Sequence, residues 1–360
     1  MQVTLETEAR GELCPPAKIV REGHIAGTVV VVNGIFGCGK TLLSPIVGAL
    51  DRVELMRYDH NLEYACILRY LDALEGPVAS SLIRIATDIA LYNSMMSREV
   101  NFRFSDLSSA SMNACLWRYV RRLFLPGDEA VVARIERERP ILHLTTHMLL
   151  GISGALFDAL GERLRFIEVI RHPLYMVKQM YKWMPRTGKD PRMFDIWFEH
   201  EGESLPWYAR GWEELYLRSN PMDRVIYVIA KHWRLGMDAV ARLPEAQRSQ
   251  VLVVPFEQFV LQPGPFLQQL EQVIGTTMTP ATRRMMKKQN VPRKMIAEGI
   301  GLKIYRHYGW EPPESGTDEL KELAKRRAFV ESEASPEALE TLERLSQEYE
   351  AHYFRPQGQA

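Results

Sequence analysis

The strongest constraint on the fold is the stretch TVVVVNGIFGCGKTLLSPIVGAL at residues 28–50. It opens with a short run of β-branched apolar residues, which is typical of a strand buried in a parallel sheet. A glycine-rich turn follows, and after it come apolar residues that can line one face of a helix. Strand, glycine-rich turn and helix in this order predict an α/β domain whose turn binds an anion.

The turn itself satisfies the nucleotide-binding pattern G-x-x-x-x-G-K-T. Backbone N–H groups followed by a helix N-terminus hold an anion whatever its identity. The lysine adds a point charge, and the threonine hydroxyl donates a hydrogen bond or holds Mg²⁺. The candidate anion-binding residues of this loop are Gly34, Gly37, Cys38, Gly39, Lys40, Thr41 and Leu42.

Three later apolar runs also predict strands: PILHLTTH, RLRFIEVIRHP and SQVLVVPFEQF. The residues of about 61–139, between the first predicted strand and these three, carry apolar side chains three and four positions apart, which predicts a large helical insertion. We therefore expect one α/β domain with a parallel sheet flanked by helices. Its core would cover about 26–60 and 140–310, with the insertion at about 61–139 and a solvent-facing helical tail at about 315–355.

The composition narrows the possible partners. Lys+Arg and Asp+Glu are balanced at 45 each, so attraction to a polyanion would have to come from a local site, and we expect no nucleic-acid partner. No apolar run reaches the ~18 residues that a membrane span needs. The four cysteines, Cys14, Cys38, Cys66 and Cys115, form no C-x-x-C pair. Free thiols and the lack of a secretory signal predict a cytoplasmic protein.

The strand ends bear on the identity of the anion. An ATP- or GTP-hydrolysing P-loop protein needs a second strand that ends in an acidic residue to hold Mg²⁺. The predicted strands end instead in ILHLTTH, FIEVIRHP and VLVVPFEQF. Glu257 follows a proline and lies more than 200 residues beyond the loop. This pattern disfavours nucleotide hydrolysis.

Several separate segments together resemble the PAPS-dependent sulfotransferase superfamily. GIFGCGKTLLSPIVGAL is similar to its phosphosulfate loop, usually G-x-P-x-S-G-T-T-L-L, and RFIEVIRHPLYMVKQMY to its 3′-phosphate strand and helix. VLVVPFEQFVLQPGPFLQQLEQVIG resembles a later V-x-Y-E-D-L segment, and VPRKMIAEGIGLKIYRHYGW the basic stretch that closes over the nucleotide. The resemblance spans residues of about 28–310 and implies the P-loop-containing fold of that superfamily.

The sequence departs from the family pattern at several positions. Lys40 stands where the family has its first threonine, Gln179 where a serine is usual, and Phe256 where a tyrosine is usual. A lysine beside the transferring group can neutralise charge on the bridging oxygen. A glutamine can still donate a hydrogen bond to a phosphate oxygen.

PAPS carries a phosphosulfate on one side of its ribose and a 3′-phosphate on the other, so a protein that binds it needs two anion sites. The loop with Lys40 would form the first. Arg171, which ends a predicted strand, would form the second, with Gln179, Arg293 and Lys294 beside it. The resemblance implies PAPS as donor, PAP as product and no metal.

Transfer to a hydroxyl also needs a base. His147 resembles the catalytic histidine of the cytosolic sulfotransferases, and its ordinary pKa suits a base near neutrality. Asp59 in MRYDHN is the competing candidate, because carbohydrate and tyrosylprotein sulfotransferases often place a catalytic glutamate there. Asp59 is also well suited to be a helix N-cap, and the neighbouring His60 could act instead. The segment WMPRTGKDPRMFDIW predicts an irregular loop over the acceptor site.

We therefore expect a PAPS-dependent sulfotransferase that acts on a small-molecule or carbohydrate acceptor, with Lys40, His147 and Asp59 as catalytic candidates. Two alternatives remain open at this point. One is a P-loop kinase in which Lys40 and Thr41 hold ATP·Mg²⁺ and Asp59 is the base. The other is a non-catalytic nucleotide-binding protein that recognises a partner through its helical insertion.

Overall fold

The computed structural model describes residues 17–104 and 106–354. Its strands are β1 (Thr28–Asn33), β2 (Arg57–Tyr58), β3 (Ile141–Thr145), β4 (Leu164–Ile170), β5 (Trp197–His200), β6 (Glu203–Pro206) and β7 (Val251–Pro255). Five of them form a parallel sheet in the order β2-β3-β1-β4-β7, and β5 pairs with β6 in a separate antiparallel hairpin. The predicted α/β class with a parallel sheet is confirmed.

Helices connect and cover these strands. They are α1 (Lys40–Val47), α2 (His60–Tyr70), α3 (Gly76–Met95), α4 (Leu116–Arg122), α5 (Glu129–Glu138), α6 (Gly154–Leu160), α7 (Pro173–Trp183), α8 (Glu213–Arg218), α9 (Pro221–Arg242), α10 (Glu245–Arg248), α11 (Phe256–Leu261), α12 (Pro263–Ile274), α13 (Pro280–Lys288), α14 (Lys303–His307), α15 (Glu319–Glu331) and α16 (Pro336–Tyr353). All five residues of β3 are buried, so both faces of the sheet are covered at its centre.

Strand β1 occupies the middle of the sheet because its apolar residues can be buried on both faces. It pairs with β3 on one side and with β4 on the other. The chain leaves β1 toward the β3 side and later crosses to the β4 side, so its direction of winding reverses between β1 and β4. In open α/β sheets, ligands bind at the carboxyl ends of the strands beside such a reversal. The glycine-rich loop follows β1 at this place, and Arg171 follows β4.

The helical insertion is fastened to the sheet domain by a buried polar cluster. Glu54, 1% exposed, accepts hydrogen bonds from Arg122 Nη1 at 2.6 Å and from the hydroxyl of Tyr119 at 2.6 Å. The same hydroxyl also accepts the backbone N–H of Leu55 at 2.7 Å. Since Tyr119 and Arg122 lie on α4, this cluster ties the insertion to the segment that leads into β2.

The C-terminal tail is helical as predicted, but it is not wholly solvent-facing. Helix α16 packs on α7 and α9 and buries Ala338, Leu342, Leu345 and Tyr349. The hydroxyl of Tyr349 donates to Glu257, which lies fully buried in α11. The prediction of a solvent-facing tail relied on its many Glu, Lys and Arg residues. It overlooked an apolar stripe with helical spacing on α16.

The sequence predicts no membrane-spanning helix and predicts free thiols. Within the described residues, no helix is both long and apolar enough to cross a bilayer. Cys38, Cys66 and Cys115 are free and buried. Cys14 lies outside the described residues.

Candidate functional site

The glycine-rich loop between β1 and α1 ends at Gly39, where neither the backbone conformation nor the available space admits another residue. Gly37 and Gly39 have φ values of 87° and 101°, in the left-handed region that disfavours other residues. A side chain at Gly39 would also overlap the ring of Phe256. The loop therefore lies directly against α11, and its backbone is exposed toward the space where β1 and β4 end.

Lys40 is the first residue of α1 and is 5% exposed. Its Nζ donates to the carbonyl oxygen of Gly34 at 2.9 Å and lies 5.0 Å from the centre of the Phe36 ring. Burial lowers the pKa of Lys40. Beneath the loop, burial raises the pKa of Glu168 to about 8, and its carboxyl oxygen accepts from Asn33 Nδ2 at 2.6 Å. An arriving anion would compensate the charge of Lys40.

A second cation lies across the β1/β4 edge from Lys40. Arg171 follows β4, and its Nη1 donates to the carbonyl oxygen of Gly37 at 3.0 Å. Its Nε lies 3.8 Å from a carboxyl oxygen of Glu257, and its guanidinium is 4.2 Å from the centre of the Phe256 ring. Burial lowers the pKa of Arg171. Glu257, which could not supply an NTPase strand end, instead positions this arginine.

Arg293 approaches the same ring of Phe256, at 5.6 Å from its centre. Its Nε and Nη1 donate to the backbone carbonyls of Asn290 and Ile296. Burial, and then the charge of Arg171, lower the pKa of Arg293 to about 10. Two guanidinium groups held near one ring repel each other unless an anion lies between them.

These cations surround a pocket that we call the loop pocket. Its lining includes residues from the loop and the start of α1, from β2, from the segments that follow β3 and β4, from α7 and α11, and from the segment after α13. They include Gly37, Gly39, Lys40, Thr41, Leu42, His147, Arg171, Gln179, Arg293, Tyr305 and Trp310. Burial raises the pKa of Tyr305 to about 12. Tyr305 and Trp310 fall in the segment that resembles the family's closing stretch, although neither was singled out from the sequence.

His147 lies just beyond β3 at the edge of this pocket. Its ring stacks between Phe36, at 4.8 Å, and Tyr58, at 5.6 Å. Its Nδ1 and its backbone N–H both lie within hydrogen-bond distance of one carboxyl oxygen of Glu63, at 2.9 and 2.8 Å. Burial, and then Lys40, lower the pKa of His147.

Glu63, on α2, was missed from the sequence. Burial acts to raise the pKa of its carboxyl group, but His147 and His60 outweigh burial and hold that pKa at about 2. An ionised carboxylate can only accept hydrogen bonds, so it keeps the proton of neutral His147 on Nδ1. The other ring nitrogen, Nε2, is then the one with a free lone pair.

A second pocket, which we call the aromatic pocket, adjoins the first. Its lining contains the rings of Phe36, Tyr64, Trp183, Phe194, Trp207 and Tyr208. His60, Glu63, His147 and Asp195 add polar groups to it. Phe36 and His147 line both pockets. The segment 183–197, predicted as a loop over the acceptor site, contributes Trp183 and residues 192–195 to one wall of the aromatic pocket.

Not every candidate residue reaches a pocket. The Asp59 carboxylate accepts the backbone N–H of Leu62 at 3.2 Å and caps α2, and it lines neither pocket. Cys38 turns its thiol beneath the loop, and Lys294 is exposed outside the loop pocket. Gly34 contributes its carbonyl to Lys40. Asp59 thus serves as the N-cap that its position allowed.

Carboxylates are sparse where a nucleotide-bound Mg²⁺ would need them. Among the described residues that line the loop pocket, Glu298 is the one acid, and it accepts the backbone N–H of Lys294 at 3.2 Å. The lining therefore offers cations for an anion more than oxygen ligands for Mg²⁺. His200, Glu201 and Glu214 lie close enough to share an ion, but they belong to neither pocket lining.

No protein-family model matches the sequence, and no curated protein does. Among solved structures, the chain is similar to the sulfotransferase domain of a Synechococcus olefin synthase, with 13% identity over 91% of this chain and 96% of that chain and a TM-score of 0.43. It is also similar to the sulfotransferase domain from the curacin biosynthetic pathway, with 11% identity over 91% and 98% and a TM-score of 0.45. A third match is sulfotransferase STF9 from Mycobacterium avium, with 12% identity over 94% and 79% and a TM-score of 0.41.

These structures are sulfotransferases, the kind of enzyme that the sequence motifs resemble. At such identities and TM-scores, the likeness carries no argument about residue roles or substrates. The function is therefore argued from the two pockets and the residues between them.

Proposed function

We propose that this protein transfers a sulfonyl group from PAPS to a hydroxyl of a small-molecule or carbohydrate acceptor and releases PAP. The observation that carries the proposal is the position of His147. Its ring lines both a pocket that contains Lys40, Arg171 and Arg293 and a neighbouring pocket walled by aromatic rings. A donor in the first pocket and an acceptor in the second would meet at this imidazole.

The loop pocket suits a ligand with two separate anionic groups. The loop N–H groups and Lys40 would hold the phosphosulfate, as a glycine-rich turn at a helix N-terminus holds other anions. Arg171 and Arg293 would hold the 3′-phosphate, with Gln179 as a further donor. The rings of Tyr305 and Trp310 in the same lining offer surfaces for the nucleotide base of the donor.

His147 would act as the base through Nε2, because Glu63 occupies its Nδ1 side. Its lowered pKa keeps the imidazole neutral, and hence able to accept a proton, at pH 7. Once protonated, the imidazolium is stabilised by the ionised Glu63. Glu63 is thus a positioning residue that acts through His147.

The bound donor supplies the sulfonyl group. As the acceptor oxygen bonds to sulfur, the bond from sulfur to the phosphate oxygen breaks, and the acceptor proton passes to His147 Nε2. Lys40 stabilises the negative charge that develops on the leaving oxygen. For this its Nζ turns from the carbonyl oxygen of Gly34 toward the ligand.

Calorimetric titration with PAP tests the donor site. We expect micromolar or tighter binding, and Arg171→Ala should weaken it by at least about 100-fold, or ~2.7 kcal/mol, because charge-assisted bonds to phosphate are lost. Arg165→Ala is a matched control, since Arg165 lies on the strand that precedes Arg171 and, among the described residues, bonds only to backbone carbonyls. PAP affinity that is unchanged in Arg171→Ala contradicts the donor site.

A parallel titration with ATP·Mg²⁺ tests the kinase alternative. If ATP·Mg²⁺ binds and PAP does not, the loop holds a nucleoside triphosphate and the sulfotransferase proposal is wrong. Transfer of radioactive sulfate from labelled PAPS to a panel of alcohols and phenols then tests catalysis. His147→Ala should abolish that transfer while leaving PAP affinity unchanged.

A further inference from the structure

The aromatic pocket and the loop pocket carry opposite charges. The loop pocket is lined by Lys40, Arg171 and Arg293. The aromatic pocket contains the carboxylates of Glu63 and Asp195. A ligand body that enters the aromatic pocket is therefore surrounded by rings and meets acidic groups.

Asp195 is the carboxylate in this pocket that lacks a compensating partner. Its Oδ2 is buried and has no hydrogen-bond donor among the described residues. Burial, and then Glu63, raise the pKa of Asp195. A buried carboxyl oxygen without a donor costs free energy, so the site is set up to receive a donor from a ligand.

The basic side chains of the same pocket already have carboxylate partners. His60 Nδ1 lies 3.5 Å from Glu63, and His147 Nδ1 lies 2.9 Å from it. Arg192 bonds to both carboxyl oxygens of Asp190, at 2.9 and 2.6 Å. Among the described ion pairs, none joins these groups to Asp195. The charge of His60 acts to lower the pKa of Asp195, but the imidazole of His60 is itself paired with Glu63, so the unbonded Oδ2 of Asp195 remains available to a donor on a ligand.

The walls of the pocket favour a flat body. The rings of Phe36 and Trp183 stack with centroids 3.9 Å apart. The hydroxyl of Tyr64 donates to the backbone carbonyl of Phe194, which holds the neighbouring Asp195 segment against α2. Aromatic and apolar ligands gain free energy by burial against such rings, and a cation also gains from their faces.

Resting on the sulfotransferase function proposed above, we infer that the acceptor is a phenol or alcohol with a flat apolar body and a protonated amine that reaches Asp195. Its hydroxyl lies at His147, and its amine supplies the donor that Asp195 Oδ2 lacks. Acceptors that carry a carboxylate, sulfate or phosphate on this body are repelled by Glu63 and Asp195. Acidic glycans are thereby excluded.

Three small phenols of similar size test this by calorimetry in the presence of saturating PAP: tyramine, 4-ethylphenol and 4-hydroxyphenylacetate. Wild-type protein should bind tyramine at least about tenfold more tightly than 4-hydroxyphenylacetate, because one carries a charge opposite to Asp195 and the other a like charge. Asp195→Asn should reduce that ratio to about threefold or less, since the charge is gone while the shape is kept.

Glu199→Gln is the control, because Glu199 is an exposed acid on β5 close to the same segment, and it should leave the ratio unchanged. Equal affinity for the three phenols, no tyramine binding at millimolar concentration, or an unchanged ratio in Asp195→Asn each overturns the inference. The wild-type ranking is decisive even if a variant fails to fold.

The same titrations separate this inference from the proposed function. Loss of PAP binding overturns the sulfotransferase proposal, whereas the ranking of the phenols can be measured without PAP and reports only on the aromatic pocket. Intact PAP binding with a reversed ranking overturns the acceptor class alone.

Discussion

Gly39 shows how a single missing Cβ shapes the site. Its backbone has φ 101°, and a side chain there would enter the ring of Phe256, which contacts both Arg171 and Arg293. The glycine therefore sets the spacing between the loop and the two arginines. A displacement of that ring would move the groups assigned to the 3′-phosphate.

We predict that Gly39→Ala weakens PAP binding by at least about tenfold and lowers the free energy of unfolding by about 1–3 kcal/mol, because of backbone strain and overlap. Calorimetry and urea denaturation measure the two effects. Gly154→Ala is the control: it lies in α6 with open space around its Cβ position, and it should be neutral or slightly stabilising. Equal behaviour of the two variants would contradict the prediction.

Variants of Glu63 and Asp59 distinguish whether His147 or Asp59 is the catalytic base. Glu63→Gln keeps an acceptor for His147 but removes the negative charge, so kcat should fall by about 10- to 100-fold. Glu63 raises the pKa of His147, so its removal lowers that pKa further, and the acid limb of the kcat profile should move to lower pH. A pH series with labelled PAPS measures both.

Asp59→Asn keeps the helix cap and should change kcat by less than about twofold. If this variant loses the activity instead, Asp59 is the base and the role given to His147 is wrong. The sequence offered both residues and already allowed Asp59 to be a helix N-cap, and the hydrogen bond from the backbone N–H of Leu62 shows that it has this role. Glu63 gave no signal, because nothing in an amphipathic helix indicates a partner 84 residues away.

At the scale of elements, apolar runs predicted the four long parallel strands and the helical insertion. The short strand β2 and the hairpin β5-β6 were not predicted. β2 has two residues, too few for a periodic pattern, and it is fixed by pairing with β3. Strand β5 alternates exposed and half-buried residues, but β6 has two exposed residues followed by two buried ones, so the hairpin lacks a regular alternation. Its turn at Glu201–Gly202 is not distinguished from an irregular loop by composition alone.

Helix α4 of the insertion is attached to the segment before β2 through a buried ion pair between Arg122 and Glu54. Arg122→Met should lower the free energy of unfolding by about 3–5 kcal/mol, because Glu54 would stay buried without its principal cation. Arg121→Met is the control: Arg121 is exposed, and this substitution should change the free energy of unfolding by no more than about 0.5 kcal/mol. Chemical denaturation of both variants tests this. A small effect at Arg122 would mean that Tyr119 and Arg118 suffice to hold Glu54.

Over the whole molecule, the sheet places Lys40 and Arg171 on either side of one reversal of winding. The sequence predicted that the loop with Lys40 and the residue Arg171 each follow a strand, but it did not predict the strand order that produces the reversal. It did not predict that α16, at the far end of the described chain, supports the same site. Tyr349 donates to Glu257, and Glu257 lies beside Arg171.

Tyr349→Phe should therefore weaken PAP binding by about 3- to 10-fold and destabilise the fold by about 1–3 kcal/mol, since a buried carboxylate loses a donor. Tyr353→Phe is the control, because the Tyr353 hydroxyl makes no hydrogen bond among the described residues and its ring contacts are kept. Calorimetry and thermal unfolding compare the two. PAP affinity that is equal in both variants would separate α16 from the donor site.

Tyr349, which supports Arg171 through Glu257, is translated long after the glycine-rich loop. The helix that completes the setting of Glu257 is translated about 300 residues after the glycine-rich loop, at the ~5–20 residues per second typical of synthesis. A nascent chain therefore carries its phosphate loop for many seconds before the second anion site is assembled. If the proposed function holds, unfinished chains neither sequester the sulfate donor nor consume it.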